Sequence, residues 1–546
     1  MKSSSIILRA LFSIHLALPI VSFELESGAA LAPSAESFVS YDDTLAINTA
    51  PVATPRPRTQ GFVALPGDFP DPTIAKINGQ YWASATSAEW GGVFPLFKSD
   101  DMVHWEPAGS VFPNGFPSWA GSNAWAPEIF EENGRTYIYY TARRKGGVLS
   151  VAVASADRPE GPYRDHGPLV GQRAGSIDGC PVYDEKGRLW LVWKEDGNSC
   201  FRPTPIWAQR LNDERTALIG KKVELFRNDA AWEGSLVEGS SFIRHGGYLY
   251  MFYAGNACCG KHCTYATGVA RAKTLLGPWE KCPLNPILTD NATWKCAGHG
   301  TPIEANGRYF LFHHAYSVMS QEFVGRQGIM SEFTWGADGW PAFEGRSVQA
   351  PAPDVLALHV EDNFDGLTLG DEWQWSVNAP RPATELRNGQ LLVPASPARL
   401  GTLLARRTTA ATYRAATTLD ATTLQPGTYG GIAAVGDPYN GLALVAGAGG
   451  LLEAWRVQAG KMQRLAQVTI EPSASLTLRL ECWGGQRYRF AYSTDNATWQ
   501  PLETEGFTVN GTWLPPWDRG VRVALLAQGD STAEVAFTHF AIVNQR

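Results

Sequence analysis

The sequence of 546 residues has no excess of basic side chains. Its 46 Lys and Arg residues are outnumbered by 53 Asp and Glu residues, which gives a formal net charge of −7 at pH 7. Surfaces that bind nucleic acid or anionic membranes are rich in Lys and Arg. The charge balance therefore argues against both partners and favours a neutral or weakly acidic substrate.

Long apolar runs are also scarce. The segment from Ile6 to Phe23 is nearly continuous in apolar residues, and an A-x-A pattern follows at 30–32. Both features are typical of an export signal, and the run is marginal in length for a membrane span. We therefore expect a signal peptide at 1–32, with retention as a membrane anchor as the alternative, and a secreted or periplasmic protein. The Pro-, Ala-, Ser- and Thr-rich segment 33–60 is predicted to be a linker.

A sustained helical period is missing from the rest of the chain, and a repeat takes its place. Each copy has a Gly-containing turn followed by a strand dense in Tyr, Trp or Phe. Such turns between alternating apolar runs are hairpin signals, and repeats of roughly 50–60 residues with about four strands each are typical of propeller blades. The sequence predicts an all-β protein with a five-bladed β-propeller at 61–350; a solenoid of stacked sheets is the alternative. The copies are INGQYWASAT (77–86), ENGRTYIYYTA (132–142), EKGRLWLVWKE (185–195), RHGGYLYMFYAG (244–255) and ANGRYFLFHHAY (305–316).

The pattern changes after residue 353. Alternating strands and Gly-rich turns follow, as in GTYGGIAAVG (427–436) and SLTLRLECW (475–483). This pattern predicts a β-sandwich over residues 355–546.

Eight cysteines are present, and seven of them lie between residues 180 and 296. An even number in an exported protein indicates disulfides, although the sequence leaves their pairing open. The cluster of Cys258, Cys259 and Cys263 beside His262 also suggests a metal site. It lacks a second CxxC or HxxxH partner, so disulfides are favoured.

The openings of the five repeats carry acidic residues or a histidine. The innermost strands of a propeller run towards one axial opening, so these side chains are expected to converge there. Carboxylates that share one site push each other's pKa values apart, and acid/base hydrolysis needs one protonated and one ionised carboxyl. A single acidic residue before a strand is more often only a turn residue; acidic residues in four of five such places favour a function. The residues are Asp71, Glu128, Asp178, Glu238 and His299.

Around these residues the chain resembles glycoside hydrolase family 43, over roughly residues 64–345. The resemblance rests on five short motifs in order: GDFPDPTI (67–74), AWAPEIF (124–130), GSIDGCPV (175–182), LVEGSSFI (236–243) and AGHGTPIE (297–304). It implies that Asp71 is the general base for the attacking water. It also implies that Glu238 is the general acid that protonates the glycosidic oxygen, and that Asp178 tunes the pKa of that acid and orients it.

One neighbour of Glu238 competes for its role. Glu233, in WEGSLVEG, is a near-duplicate five residues earlier, and an odd offset on one strand would point the two side chains to opposite faces. The family match favours Glu238. Family members usually have Pro after the EG pair, where this chain has Ser240.

The resemblance implies further site residues. His299 matches a central histidine beside an axial calcium or water cluster, so a water-mediated calcium ligand is expected, with a hydrogen-bonded core histidine as the alternative. Arg326 in VGRQGIM resembles an arginine that reaches the terminal sugar's hydroxyls in exo-acting members, with a surface arginine as the alternative. Trp125 and Trp90 are candidates for a sugar-stacking wall, with core packing as the alternative. No cofactor is expected to be required, and a structural calcium at the axis is compatible with the resemblance.

The C-terminal region resembles the concanavalin-like jelly roll that follows the propeller in many β-xylosidases of this family. In those relatives it helps close the active-site mouth and restricts cleavage to chain ends; a carbohydrate-binding accessory is the alternative. The resemblance implies an inverting exo-glycoside hydrolase that releases xylose or arabinose from hemicellulose of the plant cell wall. The alternatives are an endo-arabinanase or other furanosidase of the same fold, and a non-catalytic glycan-binding propeller. A fructan-cleaving propeller would carry an RDP element, which this sequence lacks.

Overall fold

The computed structural model describes residues 61–343 and 359–545. The predicted signal peptide and linker lie outside these ranges. The described chain is built almost entirely of β-strands, which confirms the all-β class. Its helical elements are α1 (Gln321–Val324) and four 3₁₀ turns, η1 (Gly197–Cys200), η2 (Ala231–Glu233), η3 (Ala421–Thr423) and η4 (Ala448–Gly450). Within the described residues, no helix is long and apolar enough to cross a membrane.

The N-terminal region forms antiparallel sheets from consecutive strands. Sheet 1 holds β2–β5, sheet 2 holds β6–β9, sheet 3 holds β10–β13, and sheet 4 holds β14–β17. The strands are β1 (Phe62–Leu65), β2 (Thr73–Ile77), β3 (Gln80–Ser84), β4 (Val93–Ser99), β5 (Glu106–Phe112), β6 (Ala120–Glu132), β7 (Arg135–Arg144), β8 (Leu149–Ala156), β9 (Arg164–Val170), β10 (Ser176–Tyr183), β11 (Leu189–Glu195), β12 (Ile206–Leu211), β13 (Leu218–Phe226), β14 (Val237–His245), β15 (Tyr248–Gly255), β16 (Ala266–Ala272), β17 (Glu280–Lys281), β18 (Trp294–Ala305), β19 (Arg308–Ser317), β20 (Gln327–Trp335) and β21 (Pro341–Ala342).

Sheet 5 joins the two ends of this region. Strands β18, β19 and β20 follow one another, and β1 pairs with β20 on the outer side. The first strands of the five sheets contact one another in a closed cycle, from β2 to β6, β10, β14, β18 and back to β2. Residues at matching positions of these first strands therefore converge.

Hairpin turns and alternating side chains explain why these sheets form. Asn78 and Gly79 both have positive φ, 51° and 89°, as the two-residue turn between β2 and β3 requires. Along β7, Ile138 and Tyr140 pack against sheet 1, whereas Tyr137 and Tyr139 pack against sheet 3. This period of two buries both faces of the strand, so the dense aromatic runs fill the space between neighbouring sheets.

The C-terminal region, residues 359–545, forms two packed sheets and is called the sandwich below. One sheet has the order β23-β24-β36-β26-β31-β32-β33, with β22 on β36 and β34 on β32; the other has the order β25-β35-β27-β28-β29-β30. Side chains from both sheets share one hydrophobic core. The strands are β22 (His359–Asp362), β23 (Glu385–Arg387), β24 (Gln390–Pro394), β25 (Thr402–Arg407), β26 (Tyr413–Leu419), β27 (Tyr429–Asp437), β28 (Asn440–Gly447), β29 (Leu451–Gln458), β30 (Lys461–Thr469), β31 (Leu476–Trp483), β32 (Arg487–Ser493), β33 (Gln500–Pro501), β34 (Val509–Asn510), β35 (Arg522–Gln528) and β36 (Glu534–Asn544).

The sandwich packs directly on the N-terminal region. Trp90 joins a buried cluster with Leu403, Val445 and Trp455 of the six-stranded sheet. Arg522 forms a buried ion pair with Asp68 at 3.2 Å. Apolar and charged contacts together fix the sandwich beside the first strand of sheet 1.

Candidate active site

A residue with left-handed backbone lies at or just before the first strand of every sheet. In four of these strands the pairing register shifts at this point, which marks a β-bulge. A bulge bends the strand and re-aims the local side chains. The five residues, which are therefore structural equivalents, are Asp71 (φ 52°), Ala126 (44°), Asp178 (59°), Gly239 (62°) and His299 (48°).

This equivalence corrects the alignment inferred from the sequence. Glu128 lies two residues after its left-handed residue, and Glu238 lies one residue before its own. Glu128 is thus the counterpart of Thr73 and Thr301, and the Thr301 hydroxyl donates a hydrogen bond to Glu128 at 3.2 Å. Burial raises the pKa of Glu128 to about 7. Glu128 therefore lies level with Thr73 and Thr301, two residues along the first strands from the positions of Asp71, Asp178 and His299.

Asp71 is surrounded by donors that favour its ionised form. Thr86 Oγ1 donates to Oδ2 at 2.7 Å, and Arg326 donates to Oδ1 at 3.1 Å. The backbone N–H of Asp71 donates to His314 Nδ1 at 3.0 Å. Burial alone would raise the pKa of Asp71, but the charges of Arg326 and His299 bring it well below its usual range. At neutral pH this carboxylate is ionised, the form that a general base requires.

Asp178 and His299 connect the base to the strand that carries Glu238. His299 Nδ1 lies 3.6 Å from Asp71 Oδ1 and 4.0 Å from Asp178 Oδ2. Asp178 Oδ2 accepts a hydrogen bond from the backbone N–H of Gly239 at 2.9 Å. Burial raises the pKa of Asp178 to about 6, opposed by His299 and increased by the Glu238 carboxylate. Asp178 therefore holds the backbone next to Glu238.

Glu238 has one side-chain donor on each carboxylate oxygen. The Tyr265 hydroxyl donates to Oε1 at 2.8 Å, and Lys194 Nζ donates to Oε2 at 2.6 Å. Lys194 also donates to Asp196 Oδ1 at 3.0 Å, and its side chain is 1% exposed. Sequence reasoning missed both partners of Glu238. A signal for one of them was present, because Lys194 is a charged residue inside the otherwise apolar run LWLVWK.

Glu233 lies apart from this site. It belongs to η2 rather than to β14, so the expectation that it shares a strand with Glu238 was wrong. Lys281 Nζ donates to both of its oxygens, at 2.7 and 2.9 Å, and the Tyr253 hydroxyl donates at 2.8 Å. Backbone N–H groups of Asp229 and Ala230 complete the set. The side chain is fully buried, and its acceptors are occupied by structural donors.

The two predicted sugar-stacking tryptophans have different positions. Trp125 is half-buried and makes an edge-to-face contact with Trp517 of the sandwich, with ring centroids 6.1 Å apart. Trp517 is 61% exposed, and the adjacent Asp518 carbonyl accepts a hydrogen bond from Arg326 at 3.1 Å. Trp90 is only 1% exposed and packs against the sandwich, so it offers no ring face to a ligand. Core packing, the stated alternative, describes Trp90.

Two disulfides lie in the cluster around Tyr265, the hydroxyl partner of Glu238. Cys258 pairs with Cys259 and Cys263 with Cys296, in and near the loop from β15 to Tyr265. The other four cysteines are unpaired: Cys180, Cys200, Cys282 and Cys482. Among residues 61–343 and 359–545, no three His, Cys, Asp or Glu side chains are grouped to hold a metal ion. Water-mediated calcium at His299 stays a prediction.

Comparison with known proteins agrees with the motifs. The model for glycosyl hydrolases family 43 matches residues 63–341, and the model for the β-xylosidase C-terminal concanavalin A-like domain matches residues 361–543. A xylosidase/arabinosidase of Butyrivibrio fibrisolvens is 27% identical over 296 residues, 51% of this chain and 55% of its own. A non-reducing end α-L-arabinofuranosidase of Bacteroides ovatus is 25% identical over 339 residues, 57% of this chain and 60% of its own.

The matched regions thus span little more than half the length of these relatives. A crystal structure of a mutant of the GH43 protein BlXynB from Bacillus licheniformis superposes with a TM-score of 0.75 at 23% identity, covering 89% of this chain and all of the other. That likeness extends over both regions of the fold. Because the family model covers more than half of the sequence, the chain belongs to glycosyl hydrolases family 43.

Proposed function

We propose that the protein is an inverting exo-glycoside hydrolase that releases xylose or arabinose from hemicellulose or its oligosaccharides. The observation that carries the proposal is the contrast between two carboxylates at one site. Asp71 is kept ionised beside Arg326, whereas burial raises the pKa of Asp178 to about 6. Asp178 in turn accepts a hydrogen bond from the backbone next to Glu238. Pairs of titratable groups in opposed environments are typical of acid/base catalysis.

The proposed architecture is a five-bladed propeller in which sheets 1–5 are the blades. The closed cycle of contacts among the first strands supports it, as does the pairing of β1 with β20, which links the two ends of the region. Closure leaves no exposed first or last blade.

In the proposed reaction one water molecule attacks the anomeric carbon. Asp71 takes the water's proton as the new C–O bond forms. Glu238 donates its proton to the glycosidic oxygen as the old C–O bond breaks. Because the base activates water on the face opposite the leaving group, the anomeric configuration inverts. Asp178 positions the acid through Gly239, and these steps use only side chains of this chain and water.

Exo action is supported by the sandwich at the site. The Asp518 carbonyl of the sandwich accepts a hydrogen bond from Arg326, and the Trp517 ring contacts Trp125, so two sandwich residues border the proposed site. Arg326 Nε is buried and has no hydrogen-bond partner in the described part of the chain. Its guanidinium donates to Asp71, so Arg326 lies at the proposed site. The export-type N-terminus fits a plant cell-wall substrate met outside the cytoplasm.

The experiment compares hydrolysis of 4-nitrophenyl β-D-xylopyranoside, α-L-arabinofuranoside and β-D-galactofuranoside by the wild type, Asp71→Ala and Glu238→Gln. We expect activity on one or both pentosides and its near-complete loss in Asp71→Ala. Proton NMR of the first product anomer tests inversion. Wild-type rates in the variants would refute the assignment of these residues, and inactivity on every glycoside would favour a glycan-binding propeller.

A further inference from the structure

The second strand of each sheet has an equivalent position opposite the bulge. In sheets 2–5 the residue at this position pairs with the first-strand residue that comes just before the left-handed residue. In sheet 1 the matching contact is the hydrogen bond from the Thr86 N–H to the carbonyl of Pro70, the residue before Asp71. Its location at the bulge places it beside the first strand of a neighbouring sheet. The residues at this position are Thr86, Thr141, Lys194, Ala254 and His314.

Three side chains at this position support the neighbouring first strand. Each accepts a hydrogen bond from the backbone N–H of that strand's left-handed residue. The position is therefore a support point between sheets, used in the same way three times. The pairs are Ala126 N–H to Thr86 (2.7 Å), Asp178 N–H to Thr141 (3.0 Å) and Asp71 N–H to His314 (3.0 Å).

Lys194 occupies this support point in sheet 3 and binds a side chain instead of the backbone. Its ammonium reaches Glu238 Oε2 in sheet 4 at 2.6 Å and Asp196 Oδ1 at 3.0 Å. Burial lowers the pKa of Lys194, but the carboxylates of Glu238, Asp196 and Asp178 raise it further, above its usual value. The lysine is therefore a buried cation.

An ammonium group donates hydrogen bonds and accepts none. Oε2 of Glu238 consequently cannot carry a proton towards Lys194 while the contact is kept. The Tyr265 hydroxyl at Oε1 both donates and accepts, so it tolerates a proton on that oxygen. We infer that Lys194 is a positioning residue that fixes the Glu238 carboxyl and directs its transferable proton to Oε1. This inference rests on the proposed function, in which Glu238 is the general acid.

The same contact strengthens during the reaction. As the proton leaves Oε1, negative charge grows on Glu238, and the fixed ammonium attracts that charge more strongly than it attracts the neutral acid. An interaction that is stronger in the transition state accelerates the chemical step. The benefit depends on how much proton transfer the leaving group needs. It should be large for a sugar alcohol and small for a dinitrophenolate.

The test compares Lys194→Met with Lys281→Met on two substrates, xylobiose and 2,4-dinitrophenyl β-D-xylopyranoside. Lys281 is the matched control, because it binds Glu233 in a similar ion pair away from the site. For Lys194→Met we expect kcat/KM to fall about 10²–10³-fold on xylobiose and about threefold or less on the dinitrophenyl substrate. For Lys281→Met we expect the same small change on both. If the wild type cleaves only arabinosides, the pair becomes arabinobiose and 4-nitrophenyl α-L-arabinofuranoside.

An equal loss on both substrates in Lys194→Met would overturn the inference. Glu238→Gln separates this outcome from failure of the proposed function: it should show a leaving-group dependence at least as steep. If Glu238→Gln lacks that dependence, the acid assignment itself is wrong; if it shows the dependence and Lys194→Met does not, only the role of Lys194 is wrong. Circular dichroism checks folding, and Lys194→Gln, which is neutral but still polar, gives the same comparison if Lys194→Met does not fold.

Discussion

Glu233 and Glu238 are both buried and both form an ion pair with a lysine, but their carboxylate oxygens differ in how much hydrogen-bonding capacity they keep. Lys281, a tyrosine and two backbone N–H groups occupy the oxygens of Glu233, which is fully buried. Glu238 has one side-chain donor per oxygen and is 8% exposed. Burial and a lysine partner therefore do not distinguish the structural Glu233 from the candidate catalytic Glu238. Glu238 differs from Glu233 because its oxygens can accept further hydrogen bonds and because its side chain is slightly exposed.

The origin of the partners also differs. Glu233 ends the short turn η2 and bonds the backbone three and four residues before it, so much of its surrounding is local. Its side-chain partners Tyr253 and Lys281 lie on β15 and β17 of sheet 4, the sheet that follows η2. Glu238 lies on β14 of sheet 4, but its partner at Oε2 comes from β11 of sheet 3. Only the packing of sheet 3 against sheet 4 creates the surroundings of Glu238, and this suits a site that depends on converging strands.

The largest effect should follow exchange of the acid itself. In Glu238→Gln the amide keeps the size of the side chain but has no acidic proton, so kcat/KM on xylobiose or arabinobiose should fall about 10²–10⁴-fold. Glu233→Gln should stay within about threefold of the wild type, because the hydrogen-bond partners of this side chain lie outside the candidate site. Steady-state kinetics of both variants tests the comparison. A comparable loss in Glu233→Gln would reverse our assignment.

Stability should respond in the opposite way. Glu233→Gln removes charge-assisted hydrogen bonds from a fully buried side chain, whereas Lys281 is 20% exposed and keeps Asp229 as a partner at 2.6 Å. We expect the free energy of unfolding to fall by roughly 1–3 kcal/mol. Urea denaturation followed by tryptophan fluorescence measures the change, with Glu238→Gln in parallel. A lower free energy of unfolding for Glu238→Gln than for Glu233→Gln would contradict a mainly structural role for Glu233.

Glu128 extends the comparison to a glutamate with no lysine partner in the described chain. Burial raises its pKa to about 7 from a usual value of 4.5. A carboxyl whose folded-state pKa is raised binds a proton more tightly in the folded protein. Its contribution to stability is thus full below about pH 4.5 and is lost as the pH rises to about 7. Asp71, whose pKa is lowered, contributes in the opposite direction, above its unfolded-state pKa.

Glu128→Gln should remove the loss of stability that ionisation of Glu128 causes as the pH rises. We expect the variant to gain roughly 1–3 kcal/mol relative to the wild type between pH 4.5 and pH 8, since the amide never ionises. Denaturation across that pH range measures the difference between the two curves. Parallel curves would show that Glu128 is not protonated more readily in the folded state.

A feature of the fold or the site could be predicted from the sequence when it depends on residues close together in the chain. Hairpin turns and aromatic strands are local, so the all-β class and the five sheets followed from the repeats. Short motifs marked Asp71, Asp178 and Glu238, and the structure brings all three into one network with His299. The contact of Lys194 with Glu238 was not predictable, because it joins two sheets. Nor was the burial of Trp90, because it depends on docking of the sandwich.

The smallest effect should come from the sandwich side of the mouth. Trp517→Ala removes an exposed ring that meets Trp125 edge to face, a contact worth about 0.5–1.5 kcal/mol. We expect KM for the disaccharide to rise about two- to tenfold with kcat nearly unchanged, because the ring borders the mouth and does not touch the reacting carboxyls. The exposed Phe507 of the sandwich provides a control, and Phe507→Ala should leave KM unchanged. If Trp517→Ala behaves like that control, the Trp517 ring contributes nothing to substrate binding, and the contact of the sandwich with the site reduces to the Asp518 carbonyl on Arg326.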